Sequence, residues 1–223
     1  MMSIGTPIIV CPLEFERKAL LRSGFDLPAR IETCGPGREG VNTWAGANRR
    51  PEGPVILAGL AGGLVPELAI GDTVLVDAVV AAGGKRIETA WRPEGGTNWT
   101  RGSVTSTSRT VTSRPAKRSL HAVTSAQLVD LEAQTFAEMG RTLGWNFGIV
   151  RGIGDGLEDS LPPGCDHWVD HRGRTAGKAV FASLLREPSL IRRMRTLKRD
   201  GELAMKGVAA CLAEVLVSEA RGA

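Results

Sequence analysis

Val55-Ile-Leu-Ala-Gly-Leu-Ala-Gly-Gly-Leu-Val65 is the longest apolar run of the chain and carries three glycines. It falls well short of the roughly 18 residues of a membrane span. Apolar residues without alternation read as a strand covered on both faces, the pattern of a parallel sheet inside a layered α/β domain. Val55–Leu60 and Asp72–Val80 are therefore strand candidates, joined by Ala61-Gly-Gly-Leu-Val-Pro-Glu-Leu-Ala-Ile-Gly71. Gly59–Gly63 reads as a turn whose backbone approaches a ligand closely and offers N–H donors.

On the N-terminal side, Pro7–Cys11 reads as a first strand and Glu14–Arg22 as a helix with Phe15, Ala19 and Leu20 on one face. Cys34-Gly-Pro-Gly-Arg-Glu-Gly40 marks a tight loop. On the C-terminal side, residues 83–103 lack a period and read as a loop or hairpin over the site, and Val104–Ser113 alternates like a strand. Pro115 opens a short helix through Lys117 and Leu120. The spacing of Leu128, Leu131, Phe136, Met139 and Leu143 predicts an amphipathic helix from Leu128, ended by Gly144. Phe147–Ile153 is a further buried strand and Leu203–Val217 a closing helix. This alternation predicts an α/β fold: a single domain, 1–223, with a mixed, largely parallel central sheet flanked by helices.

Composition narrows the function classes. Hydrophobic content is 42%, ordinary for a globular protein. Residues 1–13 lack a basic n-region and a cleavage site, so a cytoplasmic protein is expected. Cys11, Cys34, Cys165 and Cys211 are scattered without CxxC pairing, which argues for reduced thiols and against zinc. His121, His167 and His171 form no ligand pattern, so no metal is expected. The net charge of +4 is concentrated in Arg186, Arg192, Arg193, Arg195, Lys198 and Arg199. That run reads as a solvated helix face, with peripheral contact to an anionic membrane surface as the alternative. The chain has no Tyr and only 4% aromatic residues, so base stacking on nucleic acid is not expected.

Two acids stand out. Leu128-Val-Asp-Leu-Glu132 sets a glutamate inside an amphipathic stretch, and Val150-Arg-Gly-Ile-Gly-Asp155 sets an aspartate at the end of a buried strand. One such acid can hold a sugar while the other protonates its leaving group. Taken singly, Gly154-Asp155-Gly156 is also a turn composition, and Glu132 also reads as a solvated helix residue.

Three stretches in order resemble the nucleoside phosphorylase and methylthioadenosine/S-adenosylhomocysteine nucleosidase superfamily. They are Gly59-Leu-Ala-Gly-Gly-Leu64 with Gly71-Asp72, Val129-Asp-Leu-Glu132, and Arg151-Gly-Ile-Gly-Asp155. A looser resemblance is to the hopanoid-associated phosphorylases, a branch implicated in removing adenine from adenosylhopane. It rests on Phe15-Glu16, the apolar Leu60, and Asp170-His-Arg-Gly-Arg174 followed by Leu184-Leu-Arg-Glu-Pro188.

The resemblance implies cleavage of the N-glycosidic bond of a purine nucleoside-like substrate, with no cofactor and inorganic phosphate or water as co-substrate. It implies Asp155 as the acid toward the base and Glu16, with Glu14 as the alternative, as the acid that orients a nucleophilic water. Glu132 and Leu131 would hold the sugar; Gly59, Leu60, Ala61 and Gly62 would line the substrate site, and Thr110 and Val111 the purine edge. Phosphate-using members place polar side chains where this chain has Leu57 and Leu60, which leaves Arg38 as the candidate phosphate contact. The assembly implied is a homodimer or higher homo-oligomer. Two readings of another class stay open: a non-catalytic nucleoside-binding protein of the same fold, and a protein that associates with membranes through its basic C-terminal region.

Overall fold

The computed structural model describes residues 5–23, 28–93, 99–162, 164–187 and 189–222. Residues 1–4, residues 94–98 of the expected 83–103 loop, Pro163, Pro188 and the Arg186 side chain lie outside the described residues. The strands are β1 (Ile8–Cys11), β2 (Arg30–Thr33), β3 (Val55–Gly63), β4 (Thr73–Val80), β5 (Arg86–Glu88), β6 (Thr100–Ser106), β7 (Leu128–Asp130) and β8 (Phe147–Asp155). The helices are α1 (Glu14–Arg22), α2 (Gly37–Ala47), α3 (Arg114–Thr124), α4 (Ala133–Leu143), α5 (Gly177–Arg186) and α6 (Leu190–Gly222).

All eight strands belong to one sheet. β1 pairs in parallel with β2 and β3, β3 with β8, β4 with β6, and β6 with β7. The antiparallel pairs are β3–β7, β4–β5 and β4–β8. β3 thus joins β8 along its length and β7 at its far end, so β3, β8, β4, β6 and β7 close into a ring. The fold class is the expected one: α/β with a mixed, mostly parallel sheet. On one face Val41 and Trp44 of α2 and Phe136 and Ala137 of α4 pack on Leu57, Phe147 and Ile149. On the other, Leu20 of α1 and Met205, Val208 and Leu212 of α6 pack on Ile9, Ile56 and Val150.

Five elements differ from the sequence expectation. The strand expected at Val104–Ser113 runs instead from Thr100 to Ser106. Gly37–Gly40 of the expected Cys34–Gly40 loop open helix α2. Gly59–Gly63 is not a turn but the second half of β3, because pairing with β8 and β7 holds it extended, with a bulge between Ala61 and Gly62. Leu128–Asp130 is a strand rather than the first turn of a helix. Its three residues are captured by β6, and β3 pairs with Leu128 and Val129, so ladder hydrogen bonds override the helical spacing. Helix α4 begins only at Ala133, where the Asp130 carboxylate accepts the Glu132 and Ala133 N–H groups and supplies the cap. Helix α6 is far longer than 203–217 and runs from Leu190. No helix among the described residues is long and apolar enough to cross a membrane.

Candidate active site

The strand ends of β1, β2, β3, β6, β7 and β8 converge on one cavity of about 580 Å3, within the roughly 300–1,000 Å3 usual for small-molecule sites. Glu16, Asp130, Glu132 and Asp155 stand on its wall, with Leu60, Ala61, Gly62, Leu131, Thr110 and Val111. Residues more than a hundred positions apart therefore share one chamber.

Glu16 is 2% exposed. One carboxylate oxygen accepts the Leu13 N–H at 2.8 Å and closes the first turn of α1; the other accepts the Leu60 N–H from β3 at 2.7 Å. Burial pushes its pKa up to about 7, against the pull of Arg151 and those two N–H groups, with Asp130 adding to the rise. Glu14 is elsewhere: it pairs with Arg17 and Lys18 and accepts from Thr33. The structure thus brings Glu16, not Glu14, to the cavity.

Glu132 occupies the N-cap position of α4 and is 5% exposed. It accepts the Gly37 N–H at 2.7 Å and meets Arg151 Nη2 at 3.3 Å. Burial and the neighbouring Asp130 raise it to about 7, opposed by Arg151 and the Gly37 N–H. Arg151, on β8 and fully buried, lies behind the wall and bonds Asp130 as well as Glu132. Burial alone would weaken its hold on its proton, yet the carboxylates of Asp130, Glu132 and Glu16 together strengthen it. Its Nε and Nη1 find no acceptor among the described residues.

Asp155, at the end of β8, takes Lys117 Nζ on Oδ2 at 2.5 Å. Burial raises its pKa, making it a weaker acid, and the Lys117 ammonium opposes that rise. A side chain on Gly62 would start 3.1 Å from Asp155 Oδ2 and 3.2 Å from Val129, so glycine keeps this part of the wall open.

Two expected site residues are not on the wall. Gly59 is covered: a Cβ there would lie 2.6 Å from Glu16 Oε1 and 2.8 Å from Arg151 Nη1, so this glycine makes room for the charge cluster rather than for a ligand. Arg38, in the first turn of α2, is exposed and not part of the cavity wall. Thr110 and Val111 do line the cavity, but the Thr110 N–H and hydroxyl both donate to Asp166, so that backbone donor is already occupied.

Cys165, Asp166 and His167 also line the cavity, from a short turn that residue spacing alone did not connect to the acids. Lys117 and Arg151 were missed as well. A basic residue in an otherwise polar helix and one in a strand carry no local mark of burial; a charge inside the apolar β8 run was the one available hint for Arg151.

Neither protein-family models nor curated proteins match the sequence. Solved structures do match in fold. Futalosine hydrolase of Helicobacter pylori superposes with a TM-score of 0.65 at 14% identity, covering 100% of both chains. S-adenosylhomocysteine nucleosidase from Streptococcus pyogenes, in complex with 5-methylthiotubericidin, gives 0.64 at 18% identity over 96% of this chain and 97% of that one. 5′-Methylthioadenosine nucleosidase of Arabidopsis thaliana gives 0.63 at 15% identity over 94% and 95%. At this identity the likeness establishes the fold, which is the fold of the superfamily that the three sequence stretches resemble.

Proposed function

We propose that the protein hydrolyses the N-glycosidic bond of a purine nucleoside-like substrate, with Asp155 as general acid, Glu16 as the base that takes a proton from the attacking water, and Glu132 as the sugar-holding carboxylate. The observation that carries this reading is that Glu16 from α1, Glu132 at the start of α4 and Asp155 at the end of β8 face one cavity, and that burial raises the pKa of all three. As the C1′–N9 bond breaks, its electron pair stays with the base and Asp155 gives its proton to N7. Water then adds to C1′ and passes a proton to Glu16, leaving free base and free sugar. Clustered carboxylates favour the positive charge that develops on the sugar.

The same cluster supports water over phosphate. Glu16, Asp130 and Glu132 face a single countercharge, Arg151, which they already engage. A phosphate dianion brought to this end meets net negative charge in a buried site. Leu57 is fully buried and Leu60 stands on the wall, so neither position supplies an anion contact. Arg109 is the one Lys or Arg side chain among the described wall residues, and it belongs to the opposite loop, beside Thr110.

The test is release of free base from adenosine-type nucleosides with and without phosphate. Equal rates and a free reducing sugar are expected; strict dependence on phosphate, with a sugar phosphate as product, overturns the hydrolytic reading. Ionised Glu16 and protonated Asp155 are both required, so the pH profile of kcat/KM is a bell whose acid limb lies near pH 7, the value to which burial brings the two glutamates. A nucleoside that binds without release of base identifies a binding protein instead.

A second reading concerns what the substrate carries. Leu185 and Ile191 are exposed at the α5–α6 junction, beside exposed Arg192, Arg193, Arg195, Lys198 and Arg199. α5 is tied through Ser183 to Trp168, the end of the turn that lines the cavity. A basic, apolar-tipped surface connected in this way to the turn that lines the cavity suits an anionic bilayer holding a lipid-linked nucleoside such as adenosylhopane. Sedimentation with vesicles containing anionic lipid, weakened about fivefold per charge in R192E and R195E, is expected at ~1 kcal/mol for each basic residue. Equal binding to neutral vesicles, or none to either, defeats it.

A further inference from the structure

Lys117 is the one buried residue of α3, a helix whose neighbouring positions are exposed. It is 0% exposed. Burying an ammonium costs several kcal/mol unless its donors are matched. Here Nζ has three acceptors: Asp155 Oδ2 at 2.5 Å, the Gly156 carbonyl, and the Asp159 carbonyl at 3.3 Å. Two of these staple the turn after β8, which is further held by the Gly156 N–H on the Asp159 carboxylate at 2.8 Å. The third reaches a carboxylate on the cavity wall. Asp155 Oδ1 accepts no hydrogen bond among the described residues.

We propose that Lys117 is a positioning residue for the acid: it grips Oδ2, leaves Oδ1 to carry the proton toward the leaving base, and stabilises the carboxylate that remains once that proton has gone. This rests on the reading of Asp155 as the acid. The attraction between the ammonium and Asp155 is small while the carboxyl is neutral and large once it is ionised, so it favours proton transfer rather than ground-state binding. A buried carboxyl without that partner is too weak an acid, and one with a solvated cation is too strong to stay protonated; burial and Lys117 act in opposite directions. The other groups around Asp155 are Asp159 from the following turn and Cys165 beyond it. Arg193 and Asp200 of α6 face it across a small cavity of about 110 Å3. Lys117 is the cation in direct contact with the carboxylate.

The experiment compares wild type, Lys117→Met, Asp155→Asn and the double variant on a nucleoside that the wild type cleaves. Lys117→Met is expected to lower kcat about 10- to 100-fold, with KM little changed, and to move the alkaline limb of the profile upward by about one unit, since the neutralised site holds the Asp155 proton more tightly. In the Asp155→Asn background the same substitution has no further effect on kcat. Should Lys117→Met not fold, Lys117→Gln removes the charge while keeping donors for the two carbonyls, and the same shift is expected. An unmoved alkaline limb, or an equal loss of kcat in the Asp155→Asn background, overturns the proposal. Full turnover in Asp155→Asn by itself overturns the underlying assignment of the acid, so the two failures are told apart.

Discussion

Arg151→Met is expected to lower the unfolding free energy at pH 8 by about 3–5 kcal/mol, a large part of the roughly 5–15 kcal/mol that holds a domain together. Arg151 is fully buried and bonds Asp130 and Glu132, with Glu16 close enough to feel its charge. Removing it leaves three carboxylates in the interior without a countercharge, and methionine fills the volume without replacing the donors. The loss depends on pH in a defined direction. Burial already raises Glu16 and Glu132 from 4.5 to about 7, so the folded state binds these protons more tightly than the unfolded chain. Stability from such groups is complete below the unfolded value near 4.5 and is lost as pH rises through about 7. Without Arg151 they rise further, so the penalty is largest at pH 8 and shrinks toward pH 4.5. Urea unfolding at both pH values measures it; a change under 1 kcal/mol at pH 8 would show that the guanidinium does not hold the cluster together.

Glu16→Gln is expected to lower kcat about 100- to 10,000-fold, the usual contribution of a positioned acid or base, while KM stays within a few-fold. The amide occupies nearly the same volume but takes no proton from water. It also places an NH2 group against one of two N–H donors, Leu13 or Leu60, since both glutamate oxygens now accept. That mismatch costs about 1–3 kcal/mol, so a melting curve accompanies the kinetics to show that the variant is folded. Turnover within threefold of wild type in a folded Glu16→Gln protein removes Glu16 from the mechanism and leaves the attacking water to another group.

Some of this was legible in the residues and some was not. Apolar runs at 7–11, 55–60 and 147–153 announced buried strands, and each is one, because a strand covered on both faces has little choice but to be continuously apolar. Leu128–Asp130 misled for the opposite reason: three residues are too few for a period, and the apolar spacing that extends into α4 absorbed them. The glycines of β3 were legible as places of close approach, but not what approaches. At Gly59 it is Glu16 and Arg151, and at Gly62 it is Asp155.

The sequence by itself determined the layering of the domain and the position of Asp155 at the end of a buried strand, since local patterning decides which segments are buried and where strands end. Which groups share the chamber was decided by the tertiary structure alone. Closure of β3, β8, β4, β6 and β7 into a ring, with β1 and α1 carried alongside β3, brings residues 16, 130, 132 and 151 into one cluster and sets Lys117 against Asp155. The acidity of a carboxyl depends on its desolvation and on the charges within a few ångströms. Both are properties of that closure, and neither can be read from the order of residues along the chain.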